Sequence, residues 1–115
     1  MNAHFDPTLL PDLLAQCTDA VILAAADGTI QYWNVAAERV FGYPAAEAIG
    51  RSLDLIIPER FREAHWSAFG RAMGVGATKY AGQALATRSQ RKDGATIYVE
   101  LAFAMVGRDG VTIGA

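Results

Sequence analysis

The sequence is short of most of the groups that carry covalent chemistry. It holds one cysteine, Cys17, and two histidines, His4 and His65. A single cysteine rules out an internal disulfide, and no Cys/His cluster has zinc-binding spacing. In its apolar stretch Cys17 reads as a small buried hydrophobe. With so few candidate bases, no Ser/His/Asp or Cys/His arrangement suggests an activated nucleophile. Gly74-Val75-Gly76 closes a helix, where a phosphate-cradling loop would follow a strand and open one. Catalysis is therefore not expected. Charge is also sparse: 19% of residues are charged, the net charge is −2, and no Lys/Arg run exceeds two residues. That composition excludes an electrostatic grip on nucleic acid or on an anionic membrane. The segment Met1–Asp6 lacks the basic region and apolar run of a signal peptide, and no stretch is long and apolar enough to span a bilayer. A reducing, cytoplasmic location is the resulting expectation.

What the chain does have is apolar material for one core. Hydrophobic residues make up 52% of 115, enough for a single domain and too little chain for two. Leu9, Leu10, Leu13 and Leu14 recur at helical spacing between Pro7 and Gln16. They predict a short amphipathic cap over residues 1–18, able to cover the core or to pair with a second copy. The remaining residues, 19–115, form the core unit. Ala20–Ala25 and Thr29–Trp33 flank Asp27-Gly28 and predict a β-hairpin, because Asp-Gly tolerates the positive φ of tight turns. Asn34 is placed to cap a helix Val35–Phe41 that Gly42 ends. A second short helix follows from Pro44 to Ala48, and Ser52 caps a turn through Ile56. Pro58 opens the longest helix, to about Met73, with Glu59 near its positive end. Beyond it the chain reads as a β-meander. Tyr80–Lys92 turns at Asp93-Gly94 into Thr96–Val106, where Ile97, Val99, Leu101, Phe103 and Met105 share one face at period two. Gly107-Arg108-Asp109-Gly110 then turns into Val111–Ile113. Helix, hairpin, short helices, long helix and meander make an α+β domain of five antiparallel strands with helices on one face. The fifth strand runs to the end of the chain, so the region it controls is expected outside this sequence.

Several pieces of this order resemble the PAS family over about residues 8–115. They are Asp27-Gly28-Thr29-Ile30, Trp33-Asn34-Val35-Ala36-Ala37-Glu38, Phe41-Gly42-Tyr43-Pro44, Glu47, Ile49-Gly50, Ile57-Pro58-Glu59-Arg60 and Arg91-Lys92-Asp93-Gly94. The resemblance implies a five-stranded antiparallel sheet that holds a pocket against its helices. It also implies a sensory role, often through homodimers, with output in an attached kinase, cyclase, chemoreceptor or transcription-factor domain. The flavin photoreceptors of this family carry Asn-Cys-Arg-Phe-Leu-Gln. The corresponding region here reads Gly50-Arg51-Ser52-Leu53-Asp54-Leu55, which excludes that photochemistry.

Within that frame His65 is the residue of most interest. Phe61, His65, Ala68, Phe69 and Ala72 are three and four apart, so His65 shares an apolar helical stripe. A neutral imidazole there is a competent axial ligand for haem iron, and haem b becomes the leading cofactor, with gas or redox sensing as its use. A satisfied core histidine is the competing reading. Ile56, Phe69, Met73, Leu101, Phe103 and Met105 are the expected pocket walls, with Met73 and Met105 as outside candidates for a second iron ligand. Asn34 either meets a ligand edge or caps its helix, and the capping role is the stronger expectation. Non-covalent FAD is a lesser cofactor candidate. The alternative function is a ligand-free dimerisation module, with bulky Phe69, Phe103, Met73 and Met105 filling the core and Leu9, Leu10, Leu13 and Leu14 forming the interface.

Overall fold

The computed structural model describes residues 5–76, 84–108 and 111–114. His4, the start of the expected strand at Tyr80 and the expected turn residues Asp109-Gly110 lie outside the described residues. The chain opens with a 3-10 turn, Pro7–Leu9, whose cap is the Asp6 carboxylate accepting from the Thr8 amide. Helix α1 (Leu10–Gln16) follows, with a proline in its first turn, where the missing N–H costs nothing.

Strands β1 (Ile22–Ala24) and β2 (Ile30–Trp33) form the expected antiparallel hairpin. Gly28 makes the turn at φ +87°, a value that only glycine adopts without strain. Helix α2 (Val35–Phe41) begins at Asn34, which caps the Ala37 amide, and ends at left-handed Gly42, both as the sequence predicts. Helix α3 (Ala45–Ala48) and a 3-10 turn at Leu53–Ile56 come next. Helix α4 (Glu59–Val75) runs two residues past Met73, because Gly76 and not Gly74 adopts the left-handed cap.

The meander departs from expectation in one respect. Strands β3 (Ala84–Gln90) and β4 (Thr96–Ala102) pair antiparallel, but β4 stops at Ala102, short of Val106. Phe103–Met105 leave the ladder, and β5 (Val106–Arg108) pairs with β6 (Val111–Gly114) across a register shift at Val106/Gly107. Gly107 and Gly114 bring no side chain to either short strand, which weakens the pairing. Among the described residues the strands thus form three antiparallel pairs.

The closed core lies in the first half of the chain. Ile30, Trp33, Ala37, Phe41, Ala48 and Ile56 form it, with Ile22, Val40, Tyr43 and Ile97 packed around them. Trp33 and Phe41 rings are 5.5 Å apart, and the Trp33 indole N–H donates to the Tyr43 carbonyl at 2.9 Å. The β3–β4 turn is clasped to this core. The Lys92 amide donates to the Phe41 carbonyl at 2.9 Å, and its ammonium pairs with Glu47 at 2.7 Å. Glu47 therefore spends its charge on Lys92 and not on Arg51, four residues along its own segment.

Candidate functional site

Helix α4 supplies the chemistry. Its length and its apolar stripe would ordinarily bury one face, yet none of its residues is fully buried. Of the described strands, β6 packs against it most. Phe69 and Met73 on α4, Leu101 on β4 and Met105 after it are all half-buried, and none joins the closed core. Phe103 is 38% exposed and Ile56 is a core residue. The expected pocket walls thus divide into one core side chain, one exposed ring and four apolar side chains that are only partly covered.

His65 sits at the middle of α4. Its ring lies 4.6 Å from that of Trp66 and 5.8 Å from that of Phe69. Its Nδ1 is buried and has no hydrogen-bond partner among the described residues. Burial pushes the imidazole below the ordinary histidine range, while the nearby Asp54 carboxylate pulls it back up. The neutral ring, the form that can donate a lone pair to a metal, is the one its surroundings favour. A satisfied core histidine would give Nδ1 a partner, and among the described residues this one has none.

Asn34 has a different employment. Its Oδ1 accepts from the Val21 and Ala37 amides at 2.9 and 3.0 Å, and its Nδ2 donates to the Leu14 and Asp19 carbonyls at 3.0 and 2.9 Å. Two acceptor and two donor positions are the whole capacity of a carboxamide, so nothing is left for a ligand edge. The side chain instead ties the end of α1 to β1 and α2.

Three residues around His65 were not singled out by sequence reasoning. The Trp66 indole N–H donates to Asp54 Oδ1 at 2.7 Å. Arg62 donates to the Ile57 and Asp54 carbonyls and stands 3.9 Å from the same carboxylate. The Trp66 ring also lies over Gly28, where an added Cβ would overlap it. A partial signal was present, since Arg62 and Trp66 stand four apart on one helix. Their partners are distant in sequence and leave no local trace.

The PAS fold family matches residues 8–114. The chain belongs to it. Among curated proteins this PAS chain is 33% identical over 94 residues to the sensor protein FixL of Bradyrhizobium diazoefficiens, covering 82% of this chain and 19% of that protein. It is 29% identical over 105 residues to the oxygen sensor protein DosP of Escherichia coli, covering 91% of this chain and 13% of that one. The chain therefore spans less than a fifth of either relative. A PAS domain of Colwellia psychrerythraea superposes with a TM-score of 0.79 at 20% identity, over 93% of this chain and 88% of that one. That likeness shows the PAS fold, an α+β arrangement of helices and antiparallel strands. No described helix is long and apolar enough to cross a membrane.

Proposed function

We propose that this PAS domain is a sensor whose ligand site is built around His65, with a b-type haem as the ligand and a gas or a redox change as the signal. The observation that carries the reading is a half-buried imidazole on the apolar stripe of α4, whose buried Nδ1 has no partner among the described residues and leaves Nε2 as the nitrogen that would face a metal. Phe69 lies beside it, and Met73, Leu101 and Met105 are likewise left half-solvated, apolar surface of the kind that a flat hydrophobic ligand would cover. Similarity to an oxygen sensor points the same way. In this reading His65 would hold the iron, and apolar side chains such as Phe69, whose ring lies 5.8 Å from the imidazole, would hold the ring. Haem would supply the gas- or redox-responsive centre. The chain's own part is to keep His65 neutral, to exclude water with its apolar side chains and to pass the change to an attached output domain of a longer protein. No reaction is assigned to the chain itself, and no observation favours FAD.

Haemin titration of the purified domain tests the reading. A Soret band at one haem per chain is expected, with a shift on adding carbon monoxide. His65→Ala is expected to weaken haemin binding by about tenfold or more, given the strength of axial imidazole ligation. Full spectrum and stoichiometry in His65→Ala would sink the assignment.

A second reading rests on a separate observation. Leu9, Leu10 and Leu13 on the α1 segment are 52%, 42% and 60% exposed, a contiguous apolar face on a single chain. Such a face suits a homodimer interface, with or without a ligand. Leu13→Asp is expected to convert dimer to monomer in light scattering at concentrations where the parent is dimeric. A dimer of unchanged affinity would place the interface elsewhere.

A further inference from the structure

The β3–β4 hairpin and the first turn of α4 enclose an open groove of about 320 Å³, lined by Phe61, Ala86, Thr87, Arg88 and Tyr98. Its two rings are not packed away: Tyr98 is 78% exposed and Phe61 37%. Each carries a guanidinium over its face, Arg60 at 4.7 Å from the Phe61 centroid and Arg88 at 5.7 Å from that of Tyr98. Neither guanidinium joins an ion pair among the described residues. Aromatic rings and arginines are the residue types over-represented where proteins meet. One carboxylate, Glu100, stands opposite Ala86, which leaves the positive charge at the Arg88–Tyr98 end of the hairpin face. The start of the chain has the complementary character. The first Lys or Arg in the sequence is Arg39, whereas Asp6, Asp12, Asp19 and Asp27 all precede it. Asp12 sits in the first turn of α1 among exposed Leu9, Leu10 and Leu13, and Asp6 caps the turn before it. Within its own chain α1 packs against α2, and these leucines remain exposed.

We propose that the groove receives α1 of a second copy of this chain, its leucines against Phe61 and Tyr98 and its carboxylates towards Arg60 and Arg88. This rests on the reading of the α1 leucines as a homodimer interface and adds what they meet. The contact joins two unlike surfaces, an acidic apolar segment and a basic apolar groove. Leucine face against leucine face would instead bring the Asp6 and Asp12 carboxylates of both copies together, and like-charge juxtaposition disfavours that pairing. Exchanged in both directions, the contact closes a dimer and builds no open chain.

Sedimentation of the whole chain, with two variants alone and mixed, tests the exchange. Leu13→Asp spoils the inserted segment and leaves the groove intact, while Tyr98→Asp does the reverse. Each alone is expected to be monomeric where the parent is dimeric. Mixed, they are expected to pair through the one intact set of surfaces, about tenfold or more weaker than the parent because the second contact is lost. Arg88→Glu serves if Tyr98→Asp does not fold. It should weaken the dimer by about tenfold, and Arg88→Lys should recover most of that loss. Raising salt from about 50 to about 500 mM should weaken the parent by about threefold or more, since exposed charges are screened. Two monomeric variants that fail to pair when mixed would overturn the exchange. Tyr98→Asp that dimerises as the parent does would overturn the groove and leave the leucine interface standing. Leu13→Asp of unchanged affinity would overturn the leucine interface itself, and the exchange with it. A parent that stays monomeric would overturn the second copy as occupant, in favour of an acidic apolar segment of another protein.

Discussion

Asn34→Ala is expected to destabilise the domain by about 3 kcal/mol or more, the larger of two strong effects on folding. Losing a helix N-cap alone costs about 1 kcal/mol. Here the same side chain also partners the Val21 amide and the Leu14 and Asp19 carbonyls, in a position only 3% exposed. Each buried group left without a partner adds about 1 kcal/mol or more. For a domain of this size the loss corresponds to a fall in Tm of roughly 12–20 °C. Asn34→Ser is a useful comparison, because a hydroxyl can still cap Ala37 but cannot reach all the other partners, so an intermediate loss is expected. Thermal unfolding of the three proteins checks the series. A drop below about 1 kcal/mol for alanine would mean that the three tethering bonds contribute nothing beyond the cap.

The second large effect belongs to Gly28→Ala, expected to cost about 2–4 kcal/mol by urea denaturation with an unchanged slope. Part of that cost is backbone strain, since φ there is +87° and a Cβ at such an angle costs about 1 kcal/mol. The rest comes from Trp66, whose ring a Cβ would overlap. The ring cannot swing aside freely, because its N–H is held by Asp54. In a Trp66→Ala background the same substitution should cost only the strain of about 1 kcal/mol. Equal costs in both backgrounds would show that the ring does not bear on the turn.

These contacts also mark where sequence reasoning succeeds and fails. The hairpin at Asp27-Gly28 and the helix between Asn34 and Gly42 were legible because their signals are local: turn chemistry, a capping side chain and a left-handed stop. Asn34's capping was legible for the same reason, while its hold on Leu14 and Asp19 was not. His65 was legible as a candidate from helical spacing, but its unpartnered nitrogen needed coordinates. The end of β4 at Ala102 was hidden, because Phe103 and Met105 continue the period-two pattern beyond the ladder that pattern predicts. Asp54 and Trp66 were hidden for a plainer reason: neither has a motif, and the bond between them joins segments twelve residues apart.

Among the described residues the buried hydrophobic side chains run from Ala24 to Ile56, whereas α4 has none. Folding stability is therefore distributed unevenly along the chain. The hairpin, α2 and α3 make a cooperative unit from contacts close in sequence, the kind that forms fast and opens rarely. Helix α4, which carries His65, has no fully buried residue of its own and so less packing to hold it in place. A helix that lacks buried anchors of its own is the kind of element that a bound ligand would stabilise.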